Sequence, residues 1–508
     1  MLCNAIAAKK QRTTYMNKQL HIQYFHWYYN DHLLLWDKTA SEAKNLATLG
    51  ITNVWLPPAY KATTGGLSVG YDAYDLYDLG EFDQKGTIAT KYGTKEAYIN
   101  AIKVLKEHGI DTIADVVFNH KAGADELQRV KVRKVNPDNR LEFISEEMEI
   151  DGWTKFYFPG RNGQYSAFIW DYQCFSGIDR AEDLQEEGIF SIQNGYGNAW
   201  EDVPSDEMGN YDYLMFNDIE TRNPAVREEL KRWGEWYYKT CGMDGFRMDA
   251  VKHISVSFLN EWIDHMKHTF QRNFFFVAEN WIVDNVETLE SYLHQTEGRM
   301  QLFDSILHHN FFMASKEEEF DMSAIFEGTL LQLHPELSVT FVDNHDSQPL
   351  QALESYVDFW FRPLAYALIL LRKQGIPCLF YPDLYGCSYS DLGADGNEVT
   401  VELVALQQLP VLCQIRKDAA YGEQRDYFDH PNCIGFTREG LDEHPNSGLA
   451  VVMSNGEKGY KDMEIGGRHA GKTFTDALGN CQEEILVNEE GWAQFPCEER
   501  SVSVWIVK

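Results

Sequence analysis

One junction recurs along the chain: an amphipathic helical pattern, then a glycine, one apolar residue and a β-rich run. The junction residues are Gly50-Ile51, Gly109-Ile110, Gly242-Met243 and Gly375-Ile376. A glycine after a helix adopts the left-handed conformation that ends the helix without a Cβ penalty. Repetition of this junction predicts β/α units, and it restricts the chain to an alternating α/β architecture.

Two segments, 95–108 and 223–240, have the pattern of helices that cover a sheet. The first places apolar residues at i, i+3, i+4 and i+7, which gives one buried stripe. The second starts with Asn223 at the N-cap and Pro224 at the first helical position. The apolar positions are Tyr98, Ala101, Ile102 and Leu105 in the first segment and Val226, Leu230, Trp233 and Tyr237 in the second.

The segments between such helices are almost continuously apolar, as expected for parallel strands that are buried on both faces. Eight of them are present, and eight parallel strands with interleaved helices predict an α/β fold of the (β/α)8 TIM barrel type. The predicted strands are 21–27, 53–57, 112–120, 245–251, 275–281, 302–307, 339–345 and 377–381.

The β/α rhythm is interrupted once and ends before the C-terminus. About a hundred residues after strand 3 are too many for a connecting loop, so 121–215 is predicted to be a small inserted domain. The barrel then comprises 19–120 and 216–400. Short strands and turns in 401–508 predict a C-terminal antiparallel β-sandwich. Residues 1–18 are predicted to be an N-terminal extension.

Composition narrows the class of partner. The chain has 508 residues, with 45 Lys and Arg against 78 Asp and Glu, for a formal net charge of −33. This charge repels phosphate backbones and anionic lipid surfaces, so we expect no nucleic acid and no membrane among the partners. A neutral ligand or a divalent metal held by carboxylates remains compatible with it.

The cysteines and the N-terminus indicate the compartment. The nine cysteines are scattered and odd in number, without a CxxC pair, so we expect neither a disulfide framework nor a zinc site. A reducing compartment is the simpler interpretation. The N-terminal apolar run lacks preceding basic residues, which is the wrong order for a secretory signal. We therefore expect a cytoplasmic protein.

Polar residues end four of the predicted strands, in 115–120, 245–253, 277–281 and 341–346. The C-terminal ends of barrel strands converge on one rim, where active sites of this fold lie. Singly, a carboxylate at a strand end is more often a helix N-cap than a catalyst. Together, three carboxylates, an arginine and two histidines beside apolar strand would be costly to desolvate without a function.

These four segments resemble, in order and spacing, the signature segments of the α-amylase family of retaining glycoside hydrolases. Segments 70–82 and 380–386 add to the resemblance. It covers nearly the whole chain from about residue 20 and is strongest to bacterial cytoplasmic and liquefying-type α-amylases.

The resemblance implies a catalytic role for three carboxylates. Retaining glycosidases use two carboxyl groups about 5–5.5 Å apart, one as nucleophile and one as acid and then base. By resemblance, Asp249 is the nucleophile, Glu279 is the acid and base, and Asp346 binds sugar hydroxyls. Arg247, two residues before Asp249 and on the same face of the strand, is expected to keep Asp249 ionised.

The resemblance also implies a set of substrate-binding residues. Two histidines would hydrogen-bond the sugar in the cleavage subsite, one tyrosine would stack on it, and three residues would lie on the leaving-group side. For the tyrosine and the tryptophan, filling of a core or an interface is the competing interpretation. The expected substrate-binding residues are Tyr71, His120, Arg247, Lys252, His253, Trp281 and His345.

A structural calcium ion is implied between barrel and insertion. Its expected ligands are Asn119, Asp212, Asp218 and the carbonyl oxygen of His253. Calcium takes six to eight oxygen ligands, so waters or further carbonyls must complete the set. A solvated acidic surface is the competing interpretation for the two aspartates.

The sequence departs from the family pattern at a few positions. Liquefying-type relatives carry an additional metal cluster in the insertion. Asp179 is present here, but Glu201 and Glu220 stand where aspartate is usual. Asn280 stands after the proposed acid, where relatives commonly carry an aromatic residue, so different contacts to the product are expected.

The functional prediction is an endo-acting, retaining α-1,4-glucan hydrolase that acts on starch, glycogen or maltodextrins. An exo-acting maltooligosaccharide-forming amylase or a transglycosylase is the alternative within this chemistry. From another class, the barrel could be a catalytically silent glucan-binding protein, because this architecture alone does not imply activity. The expected partner is an α-glucan, the expected cofactor is Ca²⁺, and the expected assembly is a monomer.

Overall fold

The computed structural model describes residues 19–197 and 199–508, so the predicted extension at 1–18 lies outside the described residues. Eight parallel strands close into a barrel, in the order β1-β8-β7-β6-β5-β4-β3-β2, which confirms the predicted fold class. Nearly every residue of these strands is buried. The strands are β1 His21–Gln23, β2 Asn53–Leu56, β3 Asp111–Val116, β4 Gly245–Met248, β5 Phe275–Ala278, β6 Gln301–Phe303, β7 Ser338–Phe341 and β8 Ile376–Phe380.

Ten α-helices are present in the described part of the chain, most of them around the barrel. The two predicted helices are α2 and α3, and all eight of their predicted core positions are buried. Two of the four predicted glycine caps are present, Gly50 at φ 87° and Gly242 at φ 72°. The helices before Gly109 and Gly375 end instead at the caps His108 and Arg372, although both glycines have positive φ. The helices are α1 Leu35–Leu49, α2 Lys95–Glu107, α3 Pro224–Cys241, α4 Val256–Phe270, α5 Val286–Gln295, α6 Ser305–Lys316, α7 Leu330–Leu333, α8 Arg362–Leu371, α9 Tyr381–Tyr385 and α10 Gln408–Asp418.

Several barrel strands are shorter than the apolar runs that predicted them, because polar side chains end them. After β6, the Asp304 side chain accepts a hydrogen bond from Leu307 N at 3.1 Å and starts α6. After β7, Asn344 Oδ1 accepts from the backbone N–H groups of Asp346 and Ser347 in a tight turn. The strand ends therefore become loops that carry polar groups at the rim.

The segment between β3 and β4 contains a seven-stranded sheet of its own. This sheet begins at His120, directly after the barrel strand, and ends at Ile219, where Asp218 pairs antiparallel with His120. The boundaries at 121 and 215 stay a prediction. The strands are His120–Lys121, Glu126–Asn136, Asn139–Phe143, Met148–Lys155, Phe175–Ala181, Glu186–Ile192 and Asn217–Ile219.

The C-terminal part contains a six-stranded antiparallel sheet and a two-stranded sheet. Before them lie an antiparallel hairpin, with strands Cys387–Leu392 and Glu398–Leu403, and the helix α10. The sequence pattern predicted strands and turns here and missed this helix. The strands of the two sheets are Gln424–Tyr427, Cys433–Arg438, Leu449–Ser454, Gly459–Glu464, Thr473–Asp476, Ile485–Leu486, Trp492–Cys497 and Ser501–Val507.

No helix in residues 19–197 and 199–508 is long and apolar enough to span a bilayer. The eight cysteines in that part of the chain are free thiols, seven of them buried.

Candidate active site

Asp115 and Arg247 form the centre of a charged cluster at the C-terminal rim of the barrel. They are register partners on the adjacent strands β3 and β4, so the sheet itself places them side by side. Arg247 Nη1 lies 3.0 Å from Asp115 Oδ1, and both side chains are almost fully buried. Asp115 also accepts hydrogen bonds from Trp55 Nε1 at 3.0 Å and Tyr71 OH at 2.8 Å. Burial raises the pKa of Asp115 to about 6, although Arg247 opposes the shift.

The same guanidinium reaches the two predicted catalytic carboxylates. Arg247 Nη1 donates to Asp249 Oδ1 at 2.5 Å, and Nη2 lies 3.5 Å from Glu279 Oε2. Asp249 follows β4 directly, two residues after Arg247, so both side chains point to the same face. Glu279 follows β5 directly. One buried cation thus contacts three carboxylates.

The hydrogen-bond partners of Glu279 differ from those of Asp249. Its Oε2 accepts a hydrogen bond from the backbone N–H of Ala250 at 2.8 Å. Burial raises the pKa of Glu279 to about 8; Arg247 opposes this, while the nearby charges of Asp249 and Asp346 add to it. Glu279 is therefore protonated at neutral pH, as a general acid must be.

Asp346 completes the carboxylate group from the loop after β7. Its Oδ2 lies 3.4 Å from His345 Nε2, and about a quarter of its side chain is exposed. Burial raises its pKa to about 7, opposed by Arg247 and assisted by Asp249 and Asp115. Asp346 therefore interacts electrostatically with Arg247, Asp249 and Asp115.

Three parallel rings form one wall beside the carboxylates. Tyr71 stacks on Trp27 with centroids 5.8 Å apart and on His345 with centroids 5.0 Å apart. Burial lowers the pKa of His345 well below its usual value, and Arg247 lowers it further, so this ring is neutral at neutral pH. The sequence predicted Tyr71 and His345 as substrate-binding residues but did not single out Trp27.

His120 lies at the opposite end of the tyrosine. Its Nε2 is 2.9 Å from the carbonyl oxygen of Tyr71, so this ring nitrogen carries the proton. Burial lowers the pKa of His120, with Asp249 opposing the shift. A neutral imidazole with a fixed tautomer is suited to a defined hydrogen bond with a neutral ligand.

Lys252, His253 and Trp281 form a second group, toward the insertion. Lys252 Nζ donates to Glu207 Oε1 at 2.9 Å and lies 3.4 Å from the carbonyl oxygen of Trp281. His253 Nδ1 lies 2.6 Å from the carbonyl oxygen of Tyr211. These three predicted residues contact one another or the insertion, and no hydrogen bond within the described residues joins them to the carboxylate cluster.

Three of the predicted calcium ligands have buried oxygen atoms. Asn119 Oδ1 is buried and has no hydrogen-bond partner among residues 19–197 and 199–508. Asn119 Nδ2 lies 3.3 Å from Asp218 Oδ1. Burial raises the pKa of both Asp212 and Asp218 well above the usual range, and each is raised further by neighbouring carboxylates, first by Glu201 for Asp212 and by Asp212 for Asp218. Two buried carboxylates with an unpaired carboxamide oxygen fit a hard cation.

The proposed set holds only two carboxylates, and its remaining oxygens come from an amide and a backbone carbonyl. In the described residues, no group of three or more His, Cys, Asp or Glu side chains is arranged to hold a metal.

The two glutamates that depart from the family pattern have protein partners. Arg222 Nη2 lies 2.7 Å from Glu220 Oε2, and Thr221 Oγ1 donates to Glu201 Oε2 at 2.6 Å. Asp179 instead accepts from the backbone N–H of Phe216 at 3.2 Å. The guanidinium of Arg222 therefore supplies positive charge at the place where the resemblance implies further metals.

Asn280, the other departure, is 2% exposed. Within the described part of the chain, neither Oδ1 nor Nδ2 of this residue has a hydrogen-bond partner. Because it directly follows Glu279, its carboxamide belongs to the surroundings of the proposed acid.

Comparison with known proteins identifies the family. The model of the α-amylase catalytic domain matches residues 40–402, and that of the α-amylase C-terminal domain matches 449–506. The chain belongs to the α-amylase family. It is 50% identical to the cytoplasmic α-amylase of Escherichia coli K12 over 489 residues, which cover 96% of this chain and 98% of the relative. It is 47% identical to an α-amylase of Geobacillus stearothermophilus, over 96% of this chain and 86% of the relative.

A solved structure shares the fold of this α-amylase family member. The crystal structure of an Anoxybacillus α-amylase superposes with a TM-score of 0.63 at 15% identity, covering 97% of this chain and 98% of that chain. At this identity the likeness concerns the fold alone, and it agrees with a barrel followed by a C-terminal β-domain.

Three contributors to the site were not predicted as site residues. Asp115 lay in a strand end that was singled out, but no role was assigned to it. Trp55 donates to Asp115 and lies under Arg247, whose guanidinium carbon is 5.0 Å from the ring centroid. Trp27 extends the ring wall. Each tryptophan lies on or just after β2 or β1, in apolar segments that predict burial, and only the closed barrel brings them to the rim. The signal that could have found them is their place at the C-terminal end of a predicted strand.

Proposed function

We propose that this chain is an α-amylase that hydrolyses α-1,4-glucosidic bonds within starch, glycogen or maltodextrins, with retention at the anomeric carbon. The single observation that carries this proposal is the contact of Arg247 with Asp249 and Glu279, at 2.5 Å and 3.5 Å. It brings two carboxyl groups to the same guanidinium, and double displacement uses two neighbouring carboxyl groups. The family relationship supports the choice of substrate.

In the first step, Asp249 attacks the anomeric carbon and forms a glycosyl ester. The bond between that carbon and the glycosidic oxygen breaks, and the proton of Glu279 moves to the departing oxygen. Arg247 orients Asp249 for this attack through its hydrogen bond to Oδ1 at 2.5 Å. The raised pKa of Glu279 keeps the proton available until substrate binds.

In the second step, water attacks the anomeric carbon of the ester. Glu279, now a carboxylate, accepts a proton from this water, and Asp249 leaves with the electrons of the ester bond. The enzyme returns to its starting protonation state, and two inversions give net retention.

The remaining site residues bind and distort the sugar. We assign Tyr71 as a stacking platform, and His120 and His345 as neutral hydrogen-bonding groups in the cleavage subsite. Asp346 binds sugar hydroxyls and stabilises the oxocarbenium-like transition state. Lys252, His253 and Trp281 are assigned to the leaving-group side, next to the insertion.

Calcium is proposed as a structural ion, not as a participant in the chemistry. Asn119, Asp212, Asp218 and the carbonyl oxygen of His253 would hold it, with waters or other carbonyls completing the set. When bound, the ion compensates two buried carboxylates. The backbone pairing of Asp218 with His120 links this site to the catalytic rim.

The setting follows from the relatives and the charge. We propose a cytoplasmic location, as the name of the Escherichia coli relative states for that protein. We further propose a monomer that acts on neutral glucan, because a net charge of −33 disfavours anionic partners such as nucleic acid and membranes.

A product time course tests the function. On long amylose labelled at its reducing end, endo cleavage gives an early mixture of chain lengths and a rapid fall in mean length. Early release of one short product would instead support the exo-acting alternative, and longer products than the starting chain would support transglycosylation. No cleavage of amylose or glycogen, with binding retained, would leave the silent glucan-binding protein as the answer.

A further inference from the structure

Two thiols of the C-terminal part meet across two different sheets. Cys433 is the first residue of a strand in the six-stranded sheet, and Cys497 is the last residue of a strand in the two-stranded sheet. The partner strand of the two-stranded sheet begins at Gly459, which is the register partner of Cys497. The two cysteines are far apart in sequence and share one small region of space.

Because Gly459 has no side chain, the sulfurs of Cys433 and Cys497 can approach each other beside it. A Cβ atom at this position would lie 2.7 Å from Cys433 Sγ and 3.9 Å from Cys497 Sγ. Both thiols therefore face the bare α-carbon of the glycine. The thiol of Cys433 donates a weak hydrogen bond to the carbonyl oxygen of Tyr460 at 3.8 Å, on the strand that begins at Gly459.

The two thiols differ in access. Cys433 lines a surface groove of about 700 Å³, together with Tyr427, Asp429 and Lys461. Cys433 is 8% exposed, whereas Cys497 is fully buried. A small oxidant in the groove can reach the first sulfur and not the second.

They also differ in acidity. The hydrogen bond from Cys497 lowers the pKa of Cys433; burial opposes this shift, and Lys461 assists it. The same hydrogen bond and burial raise the pKa of Cys497. The thiolate is the nucleophilic form of cysteine, so Cys433 is the first to react and Cys497 is the resolving thiol.

We propose that Cys433 and Cys497 form a peroxide-responsive dithiol that closes to a disulfide between the two C-terminal sheets. The Cys433 thiolate attacks hydrogen peroxide, the O–O bond breaks, and sulfenic acid and hydroxide form. The Cys497 thiol then attacks the Cys433 sulfur, the S–O bond breaks, and the hydroxyl leaves as water with the Cys497 proton. Two thiols are oxidised and one peroxide is reduced to water.

The disulfide would join residues 433 and 497 and so close a long loop of the chain. Such a crosslink stabilises a fold chiefly by restricting its unfolded state. We therefore expect peroxide to raise the Tm of the C-terminal part by several degrees, without abolishing hydrolysis, because the pair lies outside the catalytic rim.

The full-length protein is treated with increasing hydrogen peroxide near neutral pH, residual thiols are alkylated, and peptides are mapped by mass spectrometry. The expected result is a linked peptide pair containing Cys433 and Cys497, reversed by dithiothreitol, while amylose hydrolysis persists. In Cys497→Ser, dimedone should instead trap sulfenic acid on Cys433. Cys433→Ser should form no linked pair.

Cys241 is the matched internal control, because it is also 8% exposed. Burial raises its pKa, so it should be alkylated and oxidised more slowly than Cys433 in the same sample. Equal rates at the two residues would overturn the proposal. So would a link from Cys497 to Cys481, whose sulfur instead lies 3.4 Å from Ser503 Oγ. The mapping of the unmutated protein decides both points, even where a variant fails to fold.

Discussion

Glu279 accepts a hydrogen bond from the backbone N–H of Ala250, the residue that follows the proposed nucleophile. Ala250 has a left-handed backbone, with φ 49°, which is uncommon for a residue with a side chain. The turn after β4 therefore directs one N–H group at the end of β5. The spacing of acid and nucleophile is fixed by backbone as well as by the shared arginine.

Asp249→Asn should reduce hydrolysis of amylose by at least about a thousandfold, because an amide cannot form the glycosyl ester. Glucan binding should persist, since the ring wall and the histidines are unchanged. The measurements are kcat on amylose and Kd for a maltooligosaccharide. Asp264→Asn is the control, because this exposed carboxylate on α4 only pairs with Arg299. Unchanged kcat in Asp249→Asn would refute the nucleophile assignment.

Glu279 should set the alkaline limit of activity. With a pKa of about 8 in the free protein, it loses its proton above that pH, and kcat/KM should fall there. Glu279→Gln should lose starch hydrolysis but retain cleavage of a maltosyl fluoride, whose leaving group needs no proton. With this fluoride as substrate, the rate of the first chemical step of Glu279→Gln should not fall at alkaline pH. If the rate of the variant still fell at alkaline pH, the alkaline limit of activity would belong to a group other than Glu279.

The raised pKa values also make a stability prediction. The pKa of Glu279 rises from 4.5 to about 8 and that of Asp346 from 3.8 to about 7, so the folded state binds these protons more tightly than the unfolded state. Their contribution to the free energy of unfolding is present at about pH 4 and is lost as pH rises to about 8. Asp346→Asn should therefore raise Tm by several degrees near pH 8 and little near pH 4. Calorimetry between about pH 4 and about pH 8 tests this prediction. An equal change in Tm at both pH values would contradict it.

Arg247→Met should destabilise the protein by about 3–5 kcal/mol, because it leaves buried carboxylates without their cation. Arg247→Lys should lose less stability but still lower kcat, since a single ammonium lacks the fork that contacts several carboxylates. Arg129→Met is the matched control, because Arg129 also contacts three carboxylates but its side chain is half exposed. That change should cost much less stability, because solvent screens the ion pairs of an exposed arginine. Similar losses at both arginines in urea unfolding would contradict the assigned role.

Substitution of Asp218 can distinguish calcium binding from the burial of carboxylates that repel one another. If Asp218 binds calcium, a chelator should lower Tm, and Asp218→Asn should both lower Tm and remove the effect of the chelator. Without a metal, the same substitution would relieve repulsion among buried carboxylates and raise Tm near neutral pH. Asp202→Asn, an exposed change in the insertion, should keep the chelator effect. A stabilised, chelator-insensitive Asp218→Asn would overturn the calcium proposal.

The barrel was predictable because its determinants are local. Each strand is an apolar run, and each of the repeated junctions ends in a glycine with positive φ, such as Gly109 and Gly375. The ends of the strands were less predictable. Side chains such as Asp304 compete for backbone N–H groups there, and the outcome depends on the neighbouring helix.

The charged part of the site was predictable from its position at strand ends, and the aromatic part only in part. Asp115 and Arg247 meet because their strands are neighbours in register, which the β/α order implies. Trp27 and Trp55 come from segments whose composition indicates only burial. Likewise, the contact between Cys433 and Cys497 depends on how two sheets pack, and no spacing in the sequence encodes it.

The seven-stranded sheet has no hinge-like linker to the barrel, since His120 pairs directly with Asp218 across its entry and exit strands. This seam limits how the segment can be exchanged between relatives. A chimera that takes the insertion from one parent should inherit both seam strands, 120–121 and 217–219, from that same parent. A cut placed inside the seam would pair His120 from one lineage with Asp218 from another, and so separate the residue proposed to contact sugar from the residue proposed to bind calcium.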